Sequence, residues 1–205
     1  MFPLVLKIVK EKGELYTTML PNAVYIAGVQ LKAFEPYLKD LIKILLEWEE
    51  KAFSDERGCA LDLAWGRLAA VMEDSFKPYF LQIVHRVIET ARIPIATQNY
   101  GDDDPDNFVF LEDGFGYVSK LDVDRRKKVL DMLYLFTGIF IKEMEPMLET
   151  VFEIGRRSFE FPGEELRKSG LSLMIEVTAT LRNIHGKTHI GLMYMFDEKI
   201  GRAHV

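Results

Sequence analysis

The chain has 205 residues, of which 48% are hydrophobic and 28% charged, and its formal net charge is −6 at pH 7. This composition is ample for a packed core, and the acidic balance argues against direct nucleic-acid binding and favours basic partners. No apolar run approaches the roughly 20 residues of a membrane span, and residues 1–9 do not resemble a secretory signal. The single cysteine, Cys59, excludes an internal disulfide framework and indicates a reducing compartment.

In chain order, one short pattern occurs three times: a large apolar residue two places before a proline, followed by an apolar helical stretch. It reads FEPYL at 34–38, FKPYF at 76–80 and MEPML at 144–148. Proline suits the first position of a helix, where its missing N–H has no intrahelical partner. The apolar residues that follow recur at helical spacing, with Gly155 expected to loosen the fit of the third helix. The pattern predicts three helices that begin at Pro36, Pro78 and Pro146.

A second apolar signature occurs at 57–65, 126–134 and 167–175. The first two copies precede the helices predicted at Pro78 and Pro146, and the third copy follows the helix predicted at Pro146. Together the two signatures predict helix pairs at 15–31 with 36–50, 55–72 with 77–92, 124–141 with 145–159, and 164–181 with 188–200. Paired helices with a period of about 40 residues are typical of HEAT and armadillo arrays. We therefore expect an all-α superhelix, a HEAT/armadillo-like solenoid of about four helix pairs, with residues 1–205 as a single array.

Neither end of the chain shows the polar repeat that usually caps such an array. The expectation is a segment of a longer solenoid. The alternative is a small protein with exposed, adhesive ends.

Between residues 97 and 121 the helical period disappears. A loop of this length inside a compact array is usually functional or disordered. Its aromatic half, with Phe108, Phe110, Phe115 and Tyr117, is too apolar for a solvated linker. We expect an insertion whose acidic tip lies in water and whose aromatic half packs on the helices.

The faces of the second helices that point away from the core are the candidate binding surface. Counted from the repeated proline, Lys43, His85 and Glu153 occupy one equivalent position, and Glu47, Glu89 and Arg157 the position one turn later. Carboxylates there could accept charge-assisted hydrogen bonds from Lys or Arg of an extended cargo. The alternative interpretation is a solvated polar face, which any helix on a surface needs.

The acidic tip contains Asp102, Asp103, Asp104 and Asp106. It could bind basic cargo, regulate binding by imitating an acidic surface, or only keep the insertion soluble. A calcium-binding EF-hand loop is excluded because Asn107 and Asp113 stand where that motif needs glycine and glutamate.

Enzymatic motifs are not found. His185 and His189 are four residues apart, but the intervening sequence lacks the glutamate of a zinc protease and contains Gly186, which favours a turn. A phosphate-binding loop and a nucleophile elbow are also missing. We predict no enzyme activity, no metal and no cofactor.

The chain resembles a known family. The resemblance rests on the order of six segments: AWGRL at 64–68, FKPYF at 76–80, IETA at 88–91, DDD at 102–104, FVFL at 108–111 and FGYV at 115–118. This order, a HEAT pair, an acidic insertion with an aromatic strand-like segment and another HEAT pair, resembles the importin-β (karyopherin-β) superfamily of nuclear transport receptors, and within it the karyopherin beta 3 class.

The resemblance implies an internal segment of a receptor that carries basic protein cargo and shuttles between cytoplasm and nucleus. It further implies binding to phenylalanine-glycine nucleoporins and cargo release on binding the Ran GTPase in its GTP form. The alternative function is a HEAT scaffold for another complex, related to a phosphatase or to translation. The sequence leaves open which cargo is carried and whether this segment touches Ran.

Overall fold

A computed structural model describes Lys7 and residues 31–50, 56–98, 108–111 and 117–186. The helices and strands are α1 (Leu31–Glu49), α2 (Glu56–Met72), α3 (Lys77–Arg92), β1 (Thr97–Gln98), β2 (Phe108–Phe110), β3 (Tyr117–Ser119), α4 (Lys120–Ile139), α5 (Ile141–Met144), α6 (Leu148–Phe159) and α7 (Glu164–His185). Two 3-10 turns, Glu73–Phe76 and Glu145–Met147, precede α3 and α6. In this part of the chain no helix combines the length and hydropathy needed to cross a bilayer.

The helices form a stacked array. The first helices of successive pairs, α2, α4 and α7, pack side by side in chain order. Each second helix also packs on the first helix of the next pair: α1 on α2, α3 on α4 and α6 on α7. Since every pair covers the apolar face of its neighbour, the core is continuous along the array. The predicted all-α solenoid is confirmed.

The repeated apolar-x-proline pattern is a core anchor. Phe76 and Met144 are both fully buried, and Pro78 lies in the first turn of α3, as predicted. Pro146 lies in the 3-10 turn that leads into α6. In α1 the predicted start is wrong, because the helix begins at Leu31 and Pro36 is inside it. A proline there removes one intrahelical hydrogen bond, and the burial of residues further along α1 offsets the loss.

The apolar faces predicted for the second helices are buried. The apolar residues at helical spacing after each proline are buried in α3 and α6, and in α1 three are buried while Leu38 and Leu46 are partly buried. The buried ones are Leu41, Ile42 and Leu45 in α1, Phe80, Ile83, Val84, Val87 and Ile88 in α3, and Leu148, Val151, Phe152 and Ile154 in α6. Four phenylalanines then join α3 to α4: Phe76, Phe80, Phe136 and Phe140, with ring centroids between 4.9 and 6.1 Å apart. Such tilted and edge-on ring pairs stabilise a core beyond their burial alone.

Gly155 does not loosen the fit of α6, and that expectation is wrong. A Cβ atom at Gly155 would lie 3.1 Å from the carbonyl oxygen of Gly170, and one at Gly170 would lie 2.5 Å from that of Gly155. The two glycines therefore let the backbones of α6 and α7 approach closely. The clearance at Gly170 is the smallest of any glycine in the described part of the array.

The insertion predicted as a loop over 97–121 contains a small antiparallel sheet of strand order β1-β3-β2. Val118 in β3 pairs with Thr97 on one side and Val109 on the other. The insertion ends two residues earlier than predicted, because α4 begins at Lys120. Aliphatic Leu111 and Val118 are the insertion's fully buried residues among those described, and Tyr117 is half-buried. Phe115 and the acidic tip lie outside the described residues.

Other boundaries differ by small amounts. The helix predicted at 124–141 ends at Ile139 because Phe140 leaves the helical conformation, with φ −105 and ψ 52. The helix predicted at 164–181 continues to His185 and ends at Gly186, whose φ of 75 favours glycine. The helices predicted at 15–31 and 188–200, and the two chain ends, lie almost wholly outside the described residues.

The packing of the insertion's sheet against the helices is tested by shortening Val118, the buried residue of β3. Val118→Ala removes two buried methyl groups from a side chain with 0% exposure and should lower the free energy of unfolding by about 1–2 kcal/mol. Urea unfolding followed by circular dichroism measures it. Leu81→Ala, at a side chain 59% exposed, should change stability by less than about 0.5 kcal/mol. Equal small effects of both variants would show that the sheet does not pack on the helices.

Candidate functional site

The predicted binding residues of α1 and α3 are exposed. Lys43 and Glu47 have side chains 77% and 59% exposed and form a loose ion pair of 4.0 Å within one helix turn. His85 and Glu89 lie one turn apart on α3, are exposed, and make no hydrogen bond or ion pair with the described residues. The Glu47 and Glu89 carboxylates are therefore accessible to a ligand.

Glu153 on α6 differs from Glu47 and Glu89 because it is paired with two arginines. Arg156 donates two hydrogen bonds to it, from Nη2 to Oε1 at 2.6 Å and from Nε to Oε2 at 2.9 Å, and Arg157 Nε donates a third at 3.2 Å. This fork raises the pKa of Arg156, mainly through its hydrogen bonds to Glu153. With both oxygens occupied by guanidinium groups, Glu153 is poorly placed to bind a further cation.

Glu153 and Arg157 line a cleft of about 450 Å³. One wall is the end of α3 with Arg92, Ile93 and Pro94, another is Arg126 on α4, and the third is α6. Within the described residues Arg92 is exposed and makes no hydrogen bond or ion pair. The cleft therefore brings three arginines together on an otherwise acidic chain.

Arg126 joins two of these walls. Its Nη2 donates a hydrogen bond to the carbonyl oxygen of Ile93, so the start of α4 is tied to the end of α3. Burial lowers the pKa of Arg126, and Asp122, one turn earlier, opposes that shift only in part. In the portion of the chain that the structure describes, Arg126 forms no ion pair.

A buried ionic network lies between α1, α2, α3 and α4. Asp62 on α2 is fully buried, and Arg86 on α3 lies with its Nη1 2.5 Å from Asp62 Oδ1 and its Nε 2.7 Å from Glu49 Oε2 of α1. Trp65 Nε1 donates a hydrogen bond to the other oxygen of Glu49 at 2.5 Å. Arg125 of α4 approaches Asp62 Oδ2 at 3.8 Å. The network thus connects α1, α2, α3 and α4.

The network is incompletely hydrogen-bonded. Among the described residues Asp62 Oδ2 and Arg125 Nε have no hydrogen-bond partner, so their 3.8 Å contact is purely electrostatic. Arg86 Nε is close to Glu49 but not aligned with it for a hydrogen bond. Burial raises the pKa of Glu49, and the attraction of Arg86 opposes this shift. Since buried charges are costly unless paired, the geometry indicates a role in fixing helix positions.

Sequence reasoning missed both the cleft and the network. Asp62 stands inside the apolar signature at 57–65, and an acid at a core-facing position usually has a buried cationic partner. That signal could have identified Asp62 but not Arg86, which is 24 residues away. Arg92 and Arg126 form a cleft wall only because α3 and α4 pack together.

The remaining predicted residues are only partly described. Asp102, Asp103, Asp104 and Asp106 lie outside the described residues, as does His189. His185 Nε2 lies 3.6 Å from Glu145 Oε1, which connects the end of α7 to the turn before α6. Within the described ranges no group of three or more metal-ligating residues occurs.

Neither a known protein family nor a curated protein matches the chain by sequence. Solved structures match the chain by their fold. Karyopherin Kap121p bound to the SUMO protease Ulp1p matches 94% of this chain with a TM-score of 0.74 and 16% identity. Kap121p bound to the extreme C-terminus of the protein phosphatase Cdc14p matches 87% with a TM-score of 0.68 and 16% identity. A Kap121p mutant with three acidic residues replaced by lysine matches 94% with a TM-score of 0.69 and 18% identity.

The chain has the fold of a karyopherin solenoid. It spans 19%, 18% and 20% of the length of these three Kap121p chains, so the likeness concerns one part of a longer array. At this level of identity the likeness establishes the fold, a HEAT-repeat stack.

Proposed function

We propose that this chain is an internal segment of a nuclear import receptor of the karyopherin beta 3 class that binds basic protein cargo. The observation that carries the proposal is the karyopherin fold over 94% of the chain. In the full-length protein, Ran-GTP and phenylalanine-glycine nucleoporins are the further partners, and the receptor shuttles between cytoplasm and nucleus. It works by binding alone, without catalysis or a cofactor.

The exposed carboxylates support basic cargo as the ligand class. Glu47 on α1 and Glu89 on α3 are accessible, and Glu49 with Arg86 holds the end of α1 against the middle of α3 at 2.7 Å. Kap121p, the similar receptor, is known bound to two proteins and as a mutant with three acidic residues changed to lysine. Because Arg156 already occupies Glu153, we assign cargo binding to Glu47 and Glu89 and leave Glu153 out.

Binding must be distributed over many contacts. A single exposed ion pair contributes about 0–1 kcal/mol, so two carboxylates alone give weak affinity. An extended cargo that meets carboxylates on successive helices gains by multivalency. We therefore expect this segment to bind a basic peptide weakly, with an affinity that falls as salt is added.

The test is fluorescence anisotropy with an extended lysine-rich peptide. The double variant Glu47→Lys/Glu89→Lys should weaken binding about tenfold, which corresponds to about 1.4 kcal/mol. Both side chains are exposed, so folding is expected to be unchanged, and circular dichroism checks this.

The matched control is Asp74→Lys/Glu164→Lys, which changes the net charge equally at exposed carboxylates outside the second helices. It should weaken binding less than twofold. If both double variants weaken binding to the same degree, net charge rather than this face attracts the peptide. If the wild-type chain binds neither the peptide nor Ran loaded with GTP, a HEAT scaffold of another complex becomes the better assignment.

A further inference from the structure

The charge at the predicted binding positions of the second helices changes from negative to positive along the array. On α1 and α3 the accessible predicted carboxylates are Glu47 and Glu89, whereas at α6 the equivalent positions are Glu153 and Arg157. Arg156 donates hydrogen bonds to both carboxylate oxygens of Glu153, so the negative charge of Glu153 is largely neutralised by Arg156. A ligand that follows the second helices therefore meets carboxylates first and then the arginines of the cleft.

The cleft is built to bind an anion. Arg126 is half-buried, and its one hydrogen bond to a described residue goes to the neutral carbonyl oxygen of Ile93. A guanidinium group has five N–H donors in a fork that matches a carboxylate. Arg126 thus forms no ion pair with a described carboxylate and retains donors beyond its bond to Ile93, and such a group gains from an anionic ligand.

Two further arginines complete the site. Arg92 comes from the last turn of α3 and lines the cleft without a partner of its own among the described residues. Arg157 uses Nε toward Glu153, and its side chain is 66% exposed, which leaves its terminal nitrogens accessible. Phe152, Ile154 and Pro94 supply apolar wall, which fits the methylene groups of an acidic side chain.

We propose that this cleft binds the carboxylate side chain of an Asp or Glu residue in a partner polypeptide. The volume of about 450 Å³ is sufficient for a side chain and its flanking backbone. Glu149 also lines the cleft and has no ion-pair partner among the described residues, and its charge disfavours a ligand of higher negative charge such as a phosphate. The inference does not depend on the cargo being basic, because it concerns arginines that the cargo-binding carboxylates do not touch.

The experiment uses two fluorescent peptides of the same length, a glycine-serine chain with several glutamates and its glutamine counterpart. The wild-type chain should bind the glutamate peptide at least about tenfold more tightly than the glutamine peptide, in spite of its own acidic net charge. Arg92→Glu should remove about tenfold of that affinity. Arg126→Lys, which keeps the charge but loses the fork, should give an intermediate loss.

Arg182→Glu is the matched control, because Arg182 is exposed and lies in the last turn of its helix, α7, as Arg92 does in α3. It should alter glutamate-peptide binding by less than about twofold. Equal losses for Arg92→Glu and Arg182→Glu, or no preference of the wild-type chain for glutamate, would overturn the proposal. Efficient competition by inorganic phosphate at the concentration of free glutamate would also overturn it, since the site would then be a general anion site.

The lysine-rich peptide separates this proposal from the function proposed above. Arg92→Glu should leave its binding unchanged or strengthen it, whereas Glu47→Lys/Glu89→Lys should weaken it. Failure of one peptide with success of the other therefore identifies which of the two assignments is wrong.

Discussion

Asp62→Ala should lower the free energy of unfolding by about 3–5 kcal/mol, the cost of removing one partner from a buried ion pair. The carboxylate of Asp62 is fully buried and contacts Arg86 of α3 at 2.5 Å and Arg125 of α4 at 3.8 Å. Without it, Arg125 loses the carboxylate it approaches and Arg86 retains only Glu49. Urea unfolding followed by circular dichroism measures the loss.

Asp74→Ala is the comparison for this prediction. Asp74 also pairs with a basic residue, Lys77 at 2.8 Å, but its side chain is 91% exposed, so its removal should cost far less stability than the removal of Asp62. Asp62→Asn keeps the shape and removes the charge, and it should recover only part of the loss. A loss for Asp62→Ala as small as that for Asp74→Ala would mean that the network does not hold the four helices together.

Gly170→Ala should destabilise the chain by roughly 3 kcal/mol, near the upper end of the range for overpacked sites. The added Cβ would lie 2.5 Å from the carbonyl oxygen of Gly155 and 2.6 Å from the backbone nitrogen of Phe159. These are backbone atoms, so relief requires α6 and α7 to move apart. The gain in helix propensity from Gly to Ala, about 1 kcal/mol, is too small to compensate. The melting temperature and the urea midpoint should both fall.

Gly138→Ala provides the control, because Gly138 is also a helical glycine with a close neighbour, in the last turn of α4. Its Cβ would meet Glu176 Oε1 at 3.1 Å, which is the end of a flexible side chain that can rotate away. The substitution should be neutral or stabilise by up to about 1 kcal/mol. If Gly170→Ala is as well tolerated as Gly138→Ala, the close packing of α6 on α7 does not contribute to stability.

The elements themselves were predictable because each depends on residues close in sequence. Pro78 and the apolar spacing after it placed α3 at Lys77–Arg92, and the start of α7 at Glu164 was predicted although its end was placed four residues too early. The predictions for Pro36 and Gly155 were wrong because the packing of the helices overrode the local preference of each residue. Pro36 did not begin a helix, and Gly155, a poor helix former by itself, is the residue that α7 needs opposite Gly170.

The candidate site was predictable only in part. Helical spacing selected Glu47 and Glu89, which are exposed. The same spacing carried the signal that Glu153 would be paired, because Arg156 and Arg157 follow it by three and four residues on one helix. The cleft required Arg92 and Arg126 to meet across the α3–α4 contact. Residues 34 positions apart are brought together by packing, and a single sequence carries no record of such pairs.

The sequence by itself determined that this protein is a stack of amphipathic helix pairs with an insertion after the second pair, because hydrophobic periodicity and proline placement act over one or two helix turns. Only the tertiary structure decided which charges are buried, which are paired and which remain available to a ligand. The physical reason is that the energy of a charge depends on all its neighbours and on its exposure to water, and both are set by how the helices stack.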